Sequence, residues 1–153
     1  MPYKALGLFI VGFYLFILGC GGGNSNSGVS NDCSVIPGDP GQPTITAIVP
    51  PRGSTAEVSG QVKNVLPSDY RVAFYVRVDG GWWTKPTFAQ PTIAIKCDGN
   101  GSFSCGYVTG GNDANADAFI FYVVRNNYTA PAVAGASTLP ALDSVAKTGA
   151  IMR

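Results

Sequence analysis

From Pro43 onward the chain is a series of short apolar runs, each ended by glycine, proline, asparagine or aspartate. The clearest run is YRVAFYVRV at 70–78, in which two sets of residues alternate. One set is Tyr70, Val72, Phe74, Val76 and Val78, and the other is Arg71, Ala73, Tyr75 and Arg77. A period of two predicts a β-strand with one buried face. No long helical period appears, which argues against a parallel α/β fold.

The other runs extend this pattern to the end of the chain. Strands are predicted at 44–49, 56–65, 92–97, 102–108, 117–125 and 145–152. The run at 117–125, DAFIFYVVR, is apolar on both faces, which predicts a central strand covered on both sides. The stretch DGNG at 98–101 predicts a hairpin turn between its neighbouring strands. STLPALDS at 137–144 predicts one short helical turn.

These strands predict the fold class. About seven or eight short strands, with a turn roughly every 8–12 residues, are typical of an all-β, immunoglobulin-like antiparallel β-sandwich. We assign this domain to residues 43–153. A small β-barrel is the alternative fold for the same pattern.

Charge and composition exclude several classes of function. Lys4 is the only charged residue before Cys20, so removal of that segment leaves nine basic and nine acidic side chains. A neutral domain indicates no nucleic-acid partner. The chain contains no histidine, which excludes Ser-His-Asp and Cys-His catalysis and histidine-containing zinc sites. Its few acidic residues fall on separate turns, so we expect no catalytic activity, no metal site and no cofactor.

The first residues have the organisation of an export signal. MPYK is a short basic segment, and the 14 residues that follow, ALGLFIVGFYLFIL, carry no charge. A membrane-spanning helix needs about 20 apolar residues, whereas the core of a signal peptide needs about 7–15. Residues 1–19 are therefore predicted to be a cleaved signal peptide, with an uncleaved anchor as the alternative.

The end of this segment, Ile17-Leu18-Gly19-Cys20, resembles the lipobox of bacterial lipoproteins. The resemblance implies that Cys20 is linked to diacylglycerol and becomes the new N-terminus, so that the protein is exported and attached to the membrane. Residues 20–42 have the composition of a flexible Gly/Ser/Asn tether. Gly21 stands where an aspartate would resemble an inner-membrane retention signal, which favours the outer membrane if the source has two membranes.

Part of the domain also resembles small β-sandwich domains of secreted bacterial proteins, some of which accompany polysaccharide-degrading enzymes. The segments that carry this resemblance are 80–86 (GGWWTKP), 98–99, 104–105 and 109–113 (TGGND). The resemblance implies a fold and an extracellular setting, and it brings no catalytic residues with it.

Trp82 and Trp83 are the leading candidates for a ligand-binding surface. Neighbouring residues of a strand point to opposite faces, so we expect one indole to be buried and the other exposed. An exposed indole beside Tyr75, Tyr107 and Lys85 would suit stacking on a sugar ring. The alternative is that both indoles pack, one in the core and one over a sheet edge.

Three cysteines remain if Cys20 is lipidated, and they allow one internal disulfide. Cys97 and Cys105 are closest in sequence, but a tight turn at 98–101 would leave them roughly 10 Å apart along the strands, so this pair needs a wider loop. Cys33 on the tether is the other candidate partner, for either Cys97 or Cys105. The spacing of Asp98, Asn100 and Ser102 is similar to that of a calcium loop, but the residues that follow do not fit one, so a plain hairpin turn is expected.

The sequence therefore predicts a membrane-anchored, non-catalytic envelope lipoprotein with a binding module, for which a polysaccharide or an envelope protein is the candidate partner. A structural or assembly protein that contacts an envelope protein through a sheet edge is the main alternative. An enzyme that acts on glycans is the third.

Overall fold

The computed structural model describes residues 33–35, 37–38 and 41–153. The predicted leader, the lipobox with Cys20 and most of the predicted tether lie outside these residues. The described residues form ten strands and one short 3-10 helix. The strands are β1 (Thr44–Ile48), β2 (Val58–Lys63), β3 (Tyr70–Val78), β4 (Gly81–Lys85), β5 (Thr92–Ala94), β6 (Ser102–Cys105), β7 (Ala118–Arg125), β8 (Ala134–Ala136), β9 (Ala146–Lys147) and β10 (Ile151–Met152), and the helix is η1 (Asp113–Asn115).

The strands form two antiparallel sheets, which confirms the predicted all-β sandwich. The smaller sheet has the order β1-β2-β6, and the larger has the order β10-β7-β3-β4-β8, with β5 beside β3 and β9 beside β7. In immunoglobulin domains of the constant type, the first, second, fourth and fifth strands form one sheet and the third, sixth and seventh form the other. The β1-β2-β6 sheet and the β3–β7 pair follow this division, but no described strand takes the place of the fourth strand beside β6. The described residues form two separate sheets, not the closed barrel that was the alternative.

The core between the sheets is built by the apolar set that the alternation predicts. Phe74 and Val76 of β3 are fully buried, as are Phe119 and Phe121 of β7. The rings of Phe74 and Phe121 stack with their centroids 5.2 Å apart, and Phe103 of β6 covers them from the smaller sheet. A fully buried valine or phenylalanine contributes about 1.5–3 kcal/mol of transfer free energy, so this layer holds the sandwich together.

The outer face of the larger sheet carries a second apolar core, which the sequence analysis did not predict. Residues 126–145, here called the strap, leave β7, cross to the far edge of the sheet as β8 beside β4, and return to β9 beside β7. The strap packs Tyr128, Val133, Leu139 and Leu142 against the sheet. Ala73 and Tyr75 of β3 are fully buried beneath it. The expectation that β3 buries only one face was therefore wrong, whereas the prediction that β7 is covered on both faces is confirmed.

Two other local predictions need correction. The strands on either side of DGNG do not form a hairpin, because β5 pairs with β3 and β6 pairs with β2 in the other sheet. The turn between them is closed by the 2.8 Å bond from Lys96 N–H to the Ser102 carbonyl and by bonds from the backbone N–H groups of Asn100 and Ser102 to the Asp98 carboxylate. The predicted final strand is also two short strands, β9 and β10. Residues 137–144 form no helical turn, and η1 is the only helical turn among the described residues.

Arg153 closes one end of the sandwich. Its guanidinium donates to the carbonyls of Pro50, which follows β1, and of Ala114 and Ala116, which precede β7. The same group lies 4.6 Å from the centre of the Phe119 ring. Because these partners come from both sheets, Arg153 ties the sheets together at this end.

No helix among the described residues is long and apolar enough to span a membrane.

Candidate functional site

A groove of about 710 Å³ opens on the side of β4 that carries Trp83 and Lys85. Its first wall is the chain from the β3–β4 turn to Phe88, and its second is the 109–113 loop that leads from β6 into η1. Gly135 and Ser137 at the start of the strap complete one side. The groove exists because the larger sheet continues past β3 to β4 and β8, while the smaller sheet ends at β6. A loop, not a strand, therefore faces the inner side of β4.

Trp83 supplies the exposed aromatic surface of the groove. It is 36% exposed, while its neighbour Trp82 is 8% exposed and packs on the opposite face of the sheet beneath the strap. The prediction that adjacent tryptophans divide between a buried and an exposed position is confirmed. Phe88, which is 54% exposed, is a second aromatic ring on the groove wall.

Two glycines leave the space in which the Trp83 indole lies against β8. A Cβ atom on Gly135 would lie 3.3 Å from Cζ2 of Trp83, and the φ angle of Gly135 is +71°, which favours glycine. A Cβ atom on Gly81 would lie only 2.8 Å from the Gly135 Cα. The β4–β8 pairing shifts register at this point, between Trp82 and Trp83. The close approach of the two backbones leaves the indole resting against β8.

Lys85 and Asp113 form a buried ion pair across the base of the groove. The Lys85 Nζ donates to Asp113 Oδ2 and, over 2.9 Å, to the hydroxyl of Thr109. The same carboxylate oxygen accepts from the Thr109 backbone N–H at 2.9 Å. Lys85 is 5% exposed and Asp113 9%. The pair fixes the 109–113 loop against β4, and its hydrogen bonds stay within the protein.

The rim of the groove carries a polar pair at its open end. The Asn112 amide donates to both carboxylate oxygens of Asp79, at 3.1 Å each. Asp79 has a φ angle of +50° in the turn after β3, and the adjacent Gly80 has a φ angle of +81°. The amide oxygen of Asn112 accepts from Asn115 at 2.6 Å. The rim therefore presents carboxylate and amide groups beside the aromatic wall.

The structure corrects part of the predicted site. Tyr75 and Tyr107 are fully buried and bond to the carbonyls of Pro131 and Ser54, so neither flanks an exposed indole. Lys85 lies at the groove, but its amine is engaged by Asp113. Trp82 lies on the other face.

Phe88, Asp79 and Asn112 were missed as site residues. A signal for two of them was present, because Gly80-Gly81 and Gly110-Gly111 mark the two turns that meet at the groove. Both turns lie in the segments 80–86 and 109–113, which carry the resemblance to secreted β-sandwich domains.

The disulfide in the described part of the chain joins Cys33 to Cys97. The alternative pair, Cys97 with Cys105, does not form. The turn at 98–101 is tight, as the bond between Lys96 and Ser102 shows, and it leaves Cys105 three residues beyond the residue opposite Lys96. Cys105 is buried in the core at 1% exposure, and none of the described cysteines is free.

The Asp98 carboxylate accepts hydrogen bonds from the turn in which it lies. Burial raises the pKa of its carboxyl, but hydrogen bonds from the Ser102 hydroxyl and from the backbone N–H groups of Asn100, Ser102 and Gly101 outweigh this, so the pKa lies below its usual value. The segment is a closed turn, although not the hairpin turn that the sequence predicts, because β5 and β6 lie in different sheets. Among the described residues no group of three or more histidine, cysteine, aspartate or glutamate side chains is placed to hold a metal ion.

The disulfide and the groove lie at opposite ends of the sandwich. Cys97 follows β5, which runs antiparallel to β3 toward its first residues, and Gln42 accepts a 2.8 Å bond from the Asn64 amide at the same end. The groove begins at Val78, where β3 ends. β3 has nine residues, or roughly 30 Å at about 3.3 Å per residue. The chain therefore enters the domain at one end and presents the groove at the other.

No family model matches this chain, and neither a curated protein nor a solved structure matches it significantly.

Proposed function

We propose that this protein is a lipid-anchored lipoprotein of the cell envelope whose β-sandwich is a non-catalytic carbohydrate-binding module. The observation that carries the proposal is the groove in which the exposed Trp83 indole lies with Phe88 and with the polar rim of Asp79 and Asn112. Flat aromatic faces stack on the apolar faces of sugar rings, and nearby polar groups bind the hydroxyls.

The position of the groove is compatible with the lipid anchor in this proposal. A lipid on Cys20 would hold the domain through the chain that leads to Cys33, and the Cys33–Cys97 disulfide attaches that chain to the end opposite the groove. The groove would then face away from the membrane, toward extracellular or envelope polymers.

The test is isothermal titration of the full chain, purified in a mild detergent, with a panel of soluble polysaccharides. We expect saturable binding to at least one of them. Trp83→Ala should weaken it by about tenfold or more, the equivalent of about 1.4 kcal/mol. Trp83→Phe should retain part of the affinity because it keeps an aromatic face.

Ile48→Ala is the matched control, because Ile48 is an exposed apolar residue on β1, outside the groove. Circular dichroism and thermal unfolding would establish that each variant is folded. Binding that is unchanged in Trp83→Ala, or the absence of binding in a folded protein, would overturn the proposal.

The alternative function, contact with an envelope protein, is favoured by a separate observation. Among the described strands, β1 lies at the edge of the smaller sheet and pairs only with β2, and Ile48 at its end is 71% exposed. An extended segment of another protein would add to this edge through backbone hydrogen bonds. Binding of this kind would be lost in an Ile48→Pro variant and would not depend on Trp83. Comparison of Ile48→Pro with Trp83→Ala therefore separates the two functions.

A further inference from the structure

The groove is lined by three charged side chains, and two of them neutralise each other. Lys85 is the only cation among the lining residues, and Asp113 holds it in a buried ion pair. The remaining charge is the Asp79 carboxylate on the rim, whose contacts are with the neutral amide of Asn112. The lining as a whole therefore carries one net negative charge.

From this arrangement we infer that the groove selects uncharged glycans and rejects those that carry carboxylates, such as polyuronates. The inference rests on the proposed function and deepens it. A uronate needs a cation, most effectively one that offers free N–H donors, to offset the loss of water from its carboxylate. In this groove the Lys85 amine uses two of its three N–H donors on Asp113 and Thr109, and the side chain is only 5% exposed, so little of it is accessible to a ligand.

The Asp79 carboxylate on the rim also repels a carboxylate carried by the ligand. A sugar stacked on Trp83 lies in the groove whose rim carries the Asp79 carboxylate. The Debye length at moderate salt is about 8–10 Å, so charges closer than this are not fully screened. Like charges at such separations repel, and the repulsion weakens as salt is added. A neutral sugar meets the same carboxylate as a hydrogen-bond acceptor for its hydroxyls, so the group that excludes the acid also binds the neutral ring.

The experiment compares one polymer in two charge states. The neutral polysaccharide that binds best is oxidised at its primary C6 hydroxyls to carboxylates, which adds charge without changing the stereochemistry of the rings. Both forms are titrated into the full chain at low salt and at about 0.5 M salt, where the Debye length is below about 5 Å. We expect the oxidised form to bind at least about tenfold more weakly at low salt and to recover much of that loss at high salt.

The variant Asp79→Asn separates the effect of the rim charge from other causes of weaker binding by the oxidised polymer. At low salt this variant should bind the neutral and the oxidised polymer with more similar affinities, because it removes the repelling charge and keeps a polar group. Equal or stronger binding of the oxidised polymer would overturn the inference while leaving carbohydrate binding intact. A loss that neither salt nor Asp79→Asn reduces would also overturn it, since the cause would then be the lost C6 hydroxyl. Failure of every polymer to bind would instead overturn the proposed function.

Discussion

Lys85 and Asp113 show how a single pair of side chains shapes the groove. Each is an ionised residue type that is rarely buried unless paired. Here the carboxylate accepts from the lysine, from the Thr109 backbone and from the Thr109 hydroxyl, so its charge is well satisfied. Removing one partner of such a pair leaves an uncompensated charge in a dry site, which costs more than the intact pair contributes.

Lys85→Met should therefore lower the free energy of unfolding by about 3 kcal/mol, measured by urea denaturation. The matched variant is Lys85→Met with Asp113→Asn, which removes the stranded charge and keeps an acceptor for the Thr109 N–H. We expect this double variant to be more stable than Lys85→Met alone. If the double variant were no more stable, the loss would come from packing of the lysine chain and not from the buried carboxylate.

The tryptophan pair shows what residue spacing alone predicts. That Trp82 and Trp83 face opposite sides follows from the geometry of any extended chain. Which of them is exposed does not follow, because it depends on the strap, which covers the face that carries Trp82. Tyr75 was misplaced for the same reason, whereas Tyr107 lies in the core between the two sheets. The alternation in β3 assigns Tyr75 to the second face, and nothing local indicates that residues 126–145 return to bury it.

At the scale of the elements, the strap is the part of the fold that departs most from a plain sandwich. It is held to the sheet by apolar contacts and by a few specific bonds. The Tyr75 hydroxyl donates to the Pro131 carbonyl at 2.8 Å, and the backbones of Thr84 and Val133 bond at 3.0 Å. Burial, with smaller effects of Tyr128 and Tyr122, raises the pKa of Tyr75, so its hydroxyl remains a proton donor across the physiological range.

Tyr75→Phe should destabilise the protein by about 1 kcal/mol, since it deletes one buried hydrogen bond and leaves the Pro131 carbonyl without its donor. Tyr122→Phe is the matched control. Tyr122 lies on the same face, its ring meets that of Tyr75 edge-on, and its hydroxyl has no hydrogen-bond partner among the described residues.

Thermal unfolding and amide hydrogen exchange would check this pair of variants. We expect faster exchange in the strap of Tyr75→Phe and little change in Tyr122→Phe. Equal effects of the two substitutions would show that the strap does not depend on the Tyr75 bond.

The positions of the strands along the sequence were largely predictable. The pairing partner of each strand was not. The runs at 44–49, 70–78 and 117–125 each contain a strand of the structure, because period and turn residues act locally. The partners of β5 and β6 were misassigned, because a tight turn indicates that the chain reverses but not which sheet each arm joins. The walls of the groove come from segments about 25 residues apart, and sequence spacing does not reveal that they meet.

At the scale of the molecule, the two ends of the sandwich have different roles. One end holds the Cys33–Cys97 disulfide and the entry of the chain, and the other holds the groove and the Arg153 cluster. Between them lie the stacked rings of β3 and β7. Under the proposed function, this arrangement would place the binding surface about one length of β3 away from the end at which the chain enters the domain.

The disulfide should therefore matter for stability and not for binding. It joins residues 64 positions apart, and closing a loop of that length stabilises a protein by up to about 4 kcal/mol in the chain-entropy model. We expect the variant Cys33→Ser with Cys97→Ser to lose a substantial part of that free energy of unfolding and to bind polysaccharide with the affinity of the unaltered chain. Cys33→Ser alone is the matched comparison and should be equally destabilised, because it breaks the same bond. A loss of affinity as large as that of Trp83→Ala, in a variant that remains folded, would show that the two ends are coupled and that the groove depends on how the chain enters the domain.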